Sequence, residues 1–362
     1  MRVAYSLEQC WHRVPGGTAT AAIEVARALP SLRRDIELIG FSGRHTNQPQ
    51  NAYQPPIGVR QLNLSGALLY ESSMRFNFPK VERATGSVDL LHCTSIIPFA
   101  SKAKMIATVH DLAFLKYPEF FSRRGNAVFR RSLKILRDRA ELLICSSMST
   151  LEDCVEYGFS RDRLRHVALG VVPPLVMTTR EQITTRYDLP KNYLLFVGTL
   201  EPRKNLSRLI SALELLGDSA PDLVVVGENG WGDVPDAKEL SEGAKKKVKF
   251  VGFVNAGDLG AIYECAEALC YPSLMEGFGL PILEAMSFGT PVVTSQGSST
   301  QEVAGTAAVL VDPLSVESIA AGISQVLREK SELSRRGKQR ASEMTWQITA
   351  QKTAEVYEQA LS

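Results

Sequence analysis

Five side chains in this sequence are of the kinds that handle a charged, hydroxyl-rich ligand: the adjacent cations Arg203 and Lys204, the carboxylates Glu276 and Glu284, and His110. An arginine fork beside a lysine point charge suits a diphosphate, because the pair can bind both phosphates and stabilise the charge that develops as a leaving group departs. Glu276 and Glu284 have seven residues between them, and that interval begins Gly277, Phe278, Gly279, Leu280. A carboxylate such as Glu284 can accept two hydrogen bonds from a vicinal diol such as a ribose. His110 stands next to Asp111, a pairing that belongs to chemistry more than to packing when it falls at a strand end. Asp111 could equally cap the following turn.

These groups need elements to hold them. Ala266 to Tyr271 reads as a buried strand, Pro272 to Gly279 as a loop, and a helix restarts at about Leu280 with Pro281 in its first turn. Backbone N–H groups at Phe278, Gly279 and Leu280 then face the positive end of a helix dipole and favour an anion, and Gly277 and Gly279 let it come close. Tyr193 to Gly198 forms another strand, with Arg203 and Lys204 in the loop after it and Asn205 as the expected cap of the next helix. Lys104 to Val109 is a strand that delivers His110 and Asp111 at its carboxyl end, where open α/β sheets place their chemistry. Arg2 to Ser6 leads to Gly16 and Gly17, permissive backbone ahead of a helix expected from Ala19 to Leu29. Gly227 and Glu228 end a further strand in a glycine-rich loop, which reads equally as a plain turn.

Short apolar strands alternate with helical patterns along the whole chain, near 2–6, 36–41, 88–92, 104–109, 141–145 and 165–168, then 193–198, 222–227, 248–251, 267–271, 291–294 and 308–311. The fold class is therefore α/β, with two Rossmann-like domains of parallel sheet wound by helices on both faces and a ligand cleft expected between them. The series breaks near 169–177, where Pro173 and Pro174 continue neither a helix nor a central strand, so the domains are expected at 1–172 and 173–345. A length of 362 residues agrees with two cores.

Composition excludes several classes. A net charge of +2 and 44% apolar residues give no whole-chain attraction to nucleic acid or membrane. There is no signal-peptide pattern and no apolar run long enough to span a bilayer, so a cytoplasmic location is expected. The six cysteines, at 10, 93, 145, 154, 265 and 270, show no C-x-x-C spacing and read as buried thiols. No D-x-D motif is present to bridge a divalent ion to a diphosphate, and fixed cations would take its place: no metal site and no cofactor are expected. One stretch departs from the even surface. Arg123 to Arg139 carries seven Arg/Lys interleaved with Val128, Phe129, Leu133 and Leu136, which reads either as a solvated helix face or as a peripheral contact with anionic lipid at the inner face of the membrane.

The wording E-G-F-G-L-P-x-L-E-A-M from Glu276, the T-V-H-D-L around His110 and the E-P-R-K-N around Arg203 together resemble glycosyltransferase family 4, and the last segment is similar to its mannosyltransferase-like members. That resemblance implies a GT-B fold with a final helix, 346–362, returning to the first domain, and transfer of a hexose from a nucleotide-diphosphate sugar with retention of configuration. It assigns His110 and Glu276 to the transferred sugar, Arg203 and Lys204 to the diphosphate, and backbone at Phe253 and Val254 to the nucleobase. It makes Gly16 and Gly17 contacts for donor phosphate or acceptor, Gly198 part of the phosphate segment, and Glu302 a match to a frequent acid. GDP-mannose is the favoured donor and a glycan or lipid-linked molecule the acceptor. A UDP-sugar enzyme of the same fold and a nucleotide-sugar-binding or hydrolysing protein are the alternatives.

Overall fold

The computed structural model describes residues 1–173, 176–228, 230, 232, 234–235 and 240–362. The chain forms two compact units, Met1–Gly170 with Trp346–Ser362, and Val171–Thr345. The division thus falls at Gly170–Val171, two residues before the break expected from sequence, and Pro174 of the expected linker lies outside the described residues.

The first unit holds strands β1 (Arg2–Ser6), β2 (Glu37–Ser42), β3 (Val59–Gln61), β4 (Leu90–Cys93), β5 (Lys104–Val109), β6 (Ala140–Cys145) and β7 (Leu164–His166), in the order β3-β2-β1-β4-β5-β6-β7. The second holds β8 (Tyr193–Val197), β9 (Asp222–Val226), β10 (Val248–Gly252), β11 (Ala268–Tyr271), β12 (Val292–Ser295) and β13 (Val309–Val311), in the order β10-β9-β8-β11-β12-β13. Every pairing is parallel. Strands covered on both faces must be apolar throughout, and β8 (YLLFV) is buried at every position. The edge strand β3 escaped the sequence reading because its Val-Arg-Gln is largely exposed and carries no apolar run.

The helices that matter to the site are α1 (Gly16–Leu32), α2 (Gly66–Phe76), α3 (Arg123–Arg139), α4 (Met148–Glu156), α5 (Leu206–Leu216), α6 (Ala256–Cys265), α7 (Leu280–Phe288), α8 (Val316–Arg328), α9 (Lys330–Ser342) and α10 (Trp346–Leu361). Helix α1 starts at Gly16, not Ala19, so both glycines lie in its first turn, Gly16 with φ of 60°. The last helix, α10, is anchored in the first unit by a buried polar chain: His92 of β4 bonds the Tyr357 hydroxyl at 2.8 Å through Nδ1 and Thr108 Oγ1 at 2.9 Å through Nε2. Burial, reinforced by nearby His110, pulls the His92 pKa down to about 3, so this link is between neutral groups. The two cores are separate apolar clusters, one around Phe41, Leu91 and Leu133, the other around Leu194, Phe196 and Ile323. All six cysteines are free thiols, five of them buried.

Candidate active site

In each sheet the strand order reverses once, between β1 and β4 and between β8 and β11. Chain leaving the carboxyl ends of two strands at such a point diverges and opens a ligand crevice. In the second unit those two chains are the ones that sequence singled out. β8 and β11 pair directly, Leu194 with Ala268 and Leu195 with Leu269. The loop after β8 therefore runs beside the loop after β11, and three contacts pin them: Leu274 N–H donates to the Arg203 carbonyl at 2.8 Å, Arg203 Nη1 donates to the Met275 carbonyl at 3.1 Å, and Asn205 Nδ2 donates to the Pro272 carbonyl at 2.9 Å. Asn205 also donates to the Pro313 carbonyl at 2.7 Å. Its backbone is left-handed and its side chain caps nothing, so the expected helix cap is instead a tie between loops.

The side chains at this junction form one charge network. Arg203 Nη1 lies 2.8 Å from Glu276 Oε2 and Arg203 Nη2 lies 2.6 Å from Glu201 Oε1. Lys204 Nζ lies 2.6 Å from Glu276 Oε1 and donates to the Tyr271 hydroxyl at 2.5 Å. Glu276 is 8% exposed and Lys204 7%. Burial alone would raise the Glu276 pKa, but Arg203 and Lys204 outweigh it and hold the carboxyl at about 2. Burial pulls Lys204 down while Glu276 pulls it back up, and burial raises Glu201 against the same two cations. Glu201 keeps one carboxylate oxygen buried with no partner among the described residues. Glu201 and Tyr271 were not singled out from the sequence. The signal was there in the spacing, since Glu201 stands two residues before Arg203 and Tyr271 ends the apolar run, but which way either side chain points follows only from the pairing of β8 with β11.

Glycine 198 sits where β8 ends, with φ of 149°, and a Cβ there would come within 3.6 Å of the Lys204 side chain. At the end of β9, Gly227 has φ of 148° and a Cβ would meet the Gly198 carbonyl oxygen at 2.0 Å, so those two strand ends close together only as glycines. The loop after Gly227 includes Asn229 and Trp231, which lie outside the described residues.

Beyond Glu276 the chain runs through Gly277, Phe278 and Gly279 into α7. Gly279 has φ of 112°, a conformation a side chain would strain, and Pro281 occupies the first turn. Among the described residues the N–H groups of Phe278, Gly279 and Leu280 have no hydrogen-bond partner, while the Phe278 side chain is buried. The loop is held from behind by Ser299 Oγ, which donates to the Glu276 carbonyl at 2.6 Å. Glu284, in the second turn of α7, is half-buried and accepts from the Tyr263 hydroxyl at 2.7 Å. Burial raises its pKa, only partly offset by that hydrogen bond. Phe253 is 61% exposed just after β10, Val254 beside it is buried, and Asn255 caps α6 by accepting from Asp258 N–H at 3.0 Å. Glu302 lies in the short helix Ser299–Ala304.

The first unit presents His110 at the end of β5. Its carbonyl accepts from Ser146 Oγ at 2.9 Å and from Thr150 Oγ1 at 3.0 Å, groups at the start of α4. Its ring faces a cavity of about 20 Å³ lined also by Tyr5, His92, Thr94 and Thr108, and Nε2 is buried there with no partner among the described residues. Burial lowers the His110 pKa, against the opposing pull of Asp111, so the ring is neutral near pH 7. Asp111 Oδ1 accepts from Ala113 N–H at 3.0 Å and so caps the next turn. Among the described residues no group of three or more His, Cys, Asp or Glu side chains is positioned to hold a metal ion.

Residues 179–344 match the family described as glycosyl transferases group 1, and residues 15–173 match that described as glycosyltransferase family 4. The chain is 31% identical over 266 residues to the O-antigen chain mannosyltransferase B of Escherichia coli, covering 70% of each protein. It is 32% identical over 253 residues to the MMP alpha-(1->4)-mannosyltransferase of Mycolicibacterium hassiacum, covering 66% of this chain and 59% of that one. The solved structure of HepE from Anabaena in complex with UDP and glucose superposes with a TM-score of 0.75 at 19% identity, over 99% of this chain and 100% of that one, which establishes the two-domain, Rossmann-like GT-B fold. With a family model on each sheet and this identity to a curated relative, the chain belongs to glycosyltransferase family 4, as a mannosyltransferase-like member.

Proposed function

We propose that this enzyme transfers a mannosyl group from GDP-mannose to a glycan or lipid-linked acceptor, with retention of configuration and without a metal ion. The observation that carries the reading is the junction of β8 and β11, where Arg203, Lys204 and Glu276 meet beside three backbone N–H groups at the head of α7 that have no partner among the described residues. Two relatives whose names specify mannosyl transfer support the choice of sugar.

In this reading the donor's phosphates occupy the N–H groups of Phe278, Gly279 and Leu280, where the helix dipole favours anions. Before the donor arrives, Arg203 and Lys204 are matched by Glu201 and Glu276, two cations against two carboxylates. The diphosphate competes with Glu276 for those cations. As it takes them, the Glu276 carboxylate is released to accept from sugar hydroxyls, while Glu284 accepts from the ribose. The bond from the anomeric carbon to phosphate oxygen breaks, the acceptor oxygen bonds that carbon on the same face, and the acceptor proton passes to the departing phosphate. GDP leaves on protein cations, which do the work a divalent ion would do elsewhere. His110 contacts the transferred sugar as a neutral imidazole.

Titration with GDP and UDP, followed by product analysis with and without acceptor in the presence of chelator, tests this. The expected results are tighter GDP binding, product only with acceptor, an unchanged anomeric configuration and no loss to chelator. Preference for UDP would move the assignment to a UDP-sugar, the nucleotide named with HepE. Free sugar released without acceptor would indicate hydrolysis, and activity lost to chelator and restored by magnesium would overturn the metal-free mechanism.

A further inference from the structure

We infer that the last helix of the chain sets the ring of His110, through a buried relay of hydrogen bonds that runs from Tyr357 by way of His92 and Thr108 to one internal water. The inference rests on the reading of His110 as a contact of the transferred sugar, and it adds Tyr357, His92 and Thr108 as positioning residues for that contact.

The relay starts on α10. Tyr357 is fully buried, and among the described residues its hydroxyl has one hydrogen-bond partner, His92 Nδ1 at 2.8 Å. A buried hydroxyl proton without an acceptor is costly, so Tyr357 donates and Nδ1 accepts. His92 is neutral, its pKa pulled down to about 3 by burial, and a neutral imidazole has a single N–H to give. That proton therefore sits on Nε2 and goes to Thr108 Oγ1 at 2.9 Å. Edge-on packing of the Tyr5 ring, with centroids 5.1 Å apart at 82°, helps to fix the His92 ring in this orientation. Thr108 has its own hydroxyl proton left, with no other partner among the described residues.

Thr108 and His110 both line the cavity of about 20 Å³, which has room for a water and not for a sugar or a nucleotide. His110 Nε2 is buried there with no partner among the described residues. The Thr94 backbone raises the His110 pKa against burial, the effect of a carbonyl beside the other ring nitrogen, and so places the ring proton on Nδ1 and a lone pair on Nε2. A water that accepts from Thr108 and donates to Nε2 joins the two groups. Its second proton finds Thr353 of α10, which lines the same cavity and gives its own proton to the Thr349 carbonyl at 2.8 Å. Three hydrogen bonds are the usual number for an internal water. An ion does not suit the place, because no Asp, Glu, Lys or Arg lines the cavity and both imidazoles are neutral.

Every donor in this chain points the same way, from α10 across β4 and β5 to the histidine. The main chain of His110 is already pinned by Ser146 and Thr150, which leaves rotation of its ring as the freedom to be removed. With Nε2 occupied, the ring is held neutral and in one tautomer before any donor arrives, and a group so held loses less on binding than one that must first be ordered. The return of the last helix to the first unit thus has a consequence at the site as well as in the core.

Nitrogen-15 NMR of the full chain, labelled at its five histidines, reads the relay directly. His110, assigned by the loss of its signals in His110→Ala, is expected in the Nδ1–H form, and His92 in the Nε2–H form. Thr108→Val removes the hydroxyl between them. The His110 signals should then move toward a mixture of the two forms, and kcat should fall about fivefold with the donor KM little changed, the worth of one hydrogen bond. Thr108→Ser should restore both. Tyr357→Phe, at a residue bonded to His92 and not to His110, should shift the signals of both histidines together. A crystal structure should show a water about 3 Å from both Thr108 Oγ1 and His110 Nε2. His110 in the Nε2–H form, His110 signals unmoved by Thr108→Val or by Tyr357→Phe, or a dry cavity would overturn the inference. If the parent transfers no sugar, the transferase reading falls while the nitrogen signals still decide the relay.

Discussion

The two glutamates that frame the glycine loop differ in a way their spacing could not reveal. Glu276 is nearly fully buried, yet two cations within 2.8 Å hold its pKa at about 2. Glu284 is also largely withdrawn from solvent, but its pKa is raised, because among the described residues burial meets only a tyrosine hydroxyl to relieve it and no cation to oppose it. Depth alone does not set the charge of a carboxyl; the partners do. One glutamate is an anion held by two cations, and the other is a carboxyl with only a tyrosine hydroxyl bonded to it; under the proposed function a ligand competes with the first and is accepted by the second.

The sharpest way to break this contrast is to remove the anion. Glu276→Ala leaves Arg203 and Lys204 clustered in a buried site with only Glu201 nearby. Loss of one partner from a buried pair costs about 3 to 5 kcal/mol, which should appear as a large fall in denaturation midpoint together with loss of turnover. The same coupling has a pH sign. Because the folded pKa lies below the unfolded one, Glu276 contributes stability that is present above about pH 4.3 and is lost as pH falls toward 2. The Glu276→Ala variant should therefore show a shallower acid limb in its stability than the parent. Equal acid limbs would mean that the carboxylate is not paired in solution.

Arg203→Ala comes next in size. The side chain is 17% exposed, and its loss removes a charge-assisted contact of about 1.5 to 3 kcal/mol, or roughly 10- to 100-fold in turnover; Glu276 keeps Lys204 and the fold is retained, with a lowered denaturation midpoint because buried Glu201 loses its bonded cation. Full activity in this variant would disprove the diphosphate assignment.

The reach of the sequence differs between these regions for physical reasons. Apolar runs such as Tyr193–Val197 and Ala268–Tyr271 declare buried parallel strands, and Gly279 with Pro281 declares a loop turning into a helix, because each is forced by local rules. What is not local is invisible in the same way. That Arg203 meets Glu276 depends on β8 pairing with β11 across some 70 intervening residues, as the separation of 73 positions shows. Asn205 had every mark of a helix cap and became a loop tie, since two carbonyls from distant loops claimed its amide. Helix α3 teaches a lesson of the same kind, since Leu133 and Leu136 of its apolar side are fully buried in the core: periodicity tells which side of a helix is apolar, not what covers it.

The smallest expected effect probes Glu284, and it separates function from stability. Its raised folded pKa means that ionised Glu284 costs the fold stability, a cost relieved as pH falls through that pKa and the carboxyl takes up a proton. Glu284→Gln keeps an acceptor for the Tyr263 hydroxyl and removes the charge, so its melting temperature near neutral pH should equal or exceed the parent's. Donor binding should move the other way. If Glu284 accepts from a ribose diol as proposed, a charged acceptor becomes a neutral one, and KM for the donor should rise by about tenfold, the worth of a weakened charged hydrogen bond, with kcat little changed. The parent's KM should also rise as mild acid protonates Glu284, whereas the variant's should stay flat across the same range. A Glu284→Gln enzyme with an unaltered KM, or one that keeps the parent's pH dependence, would place the titrating acceptor elsewhere and leave Glu284 with only its tyrosine to hold.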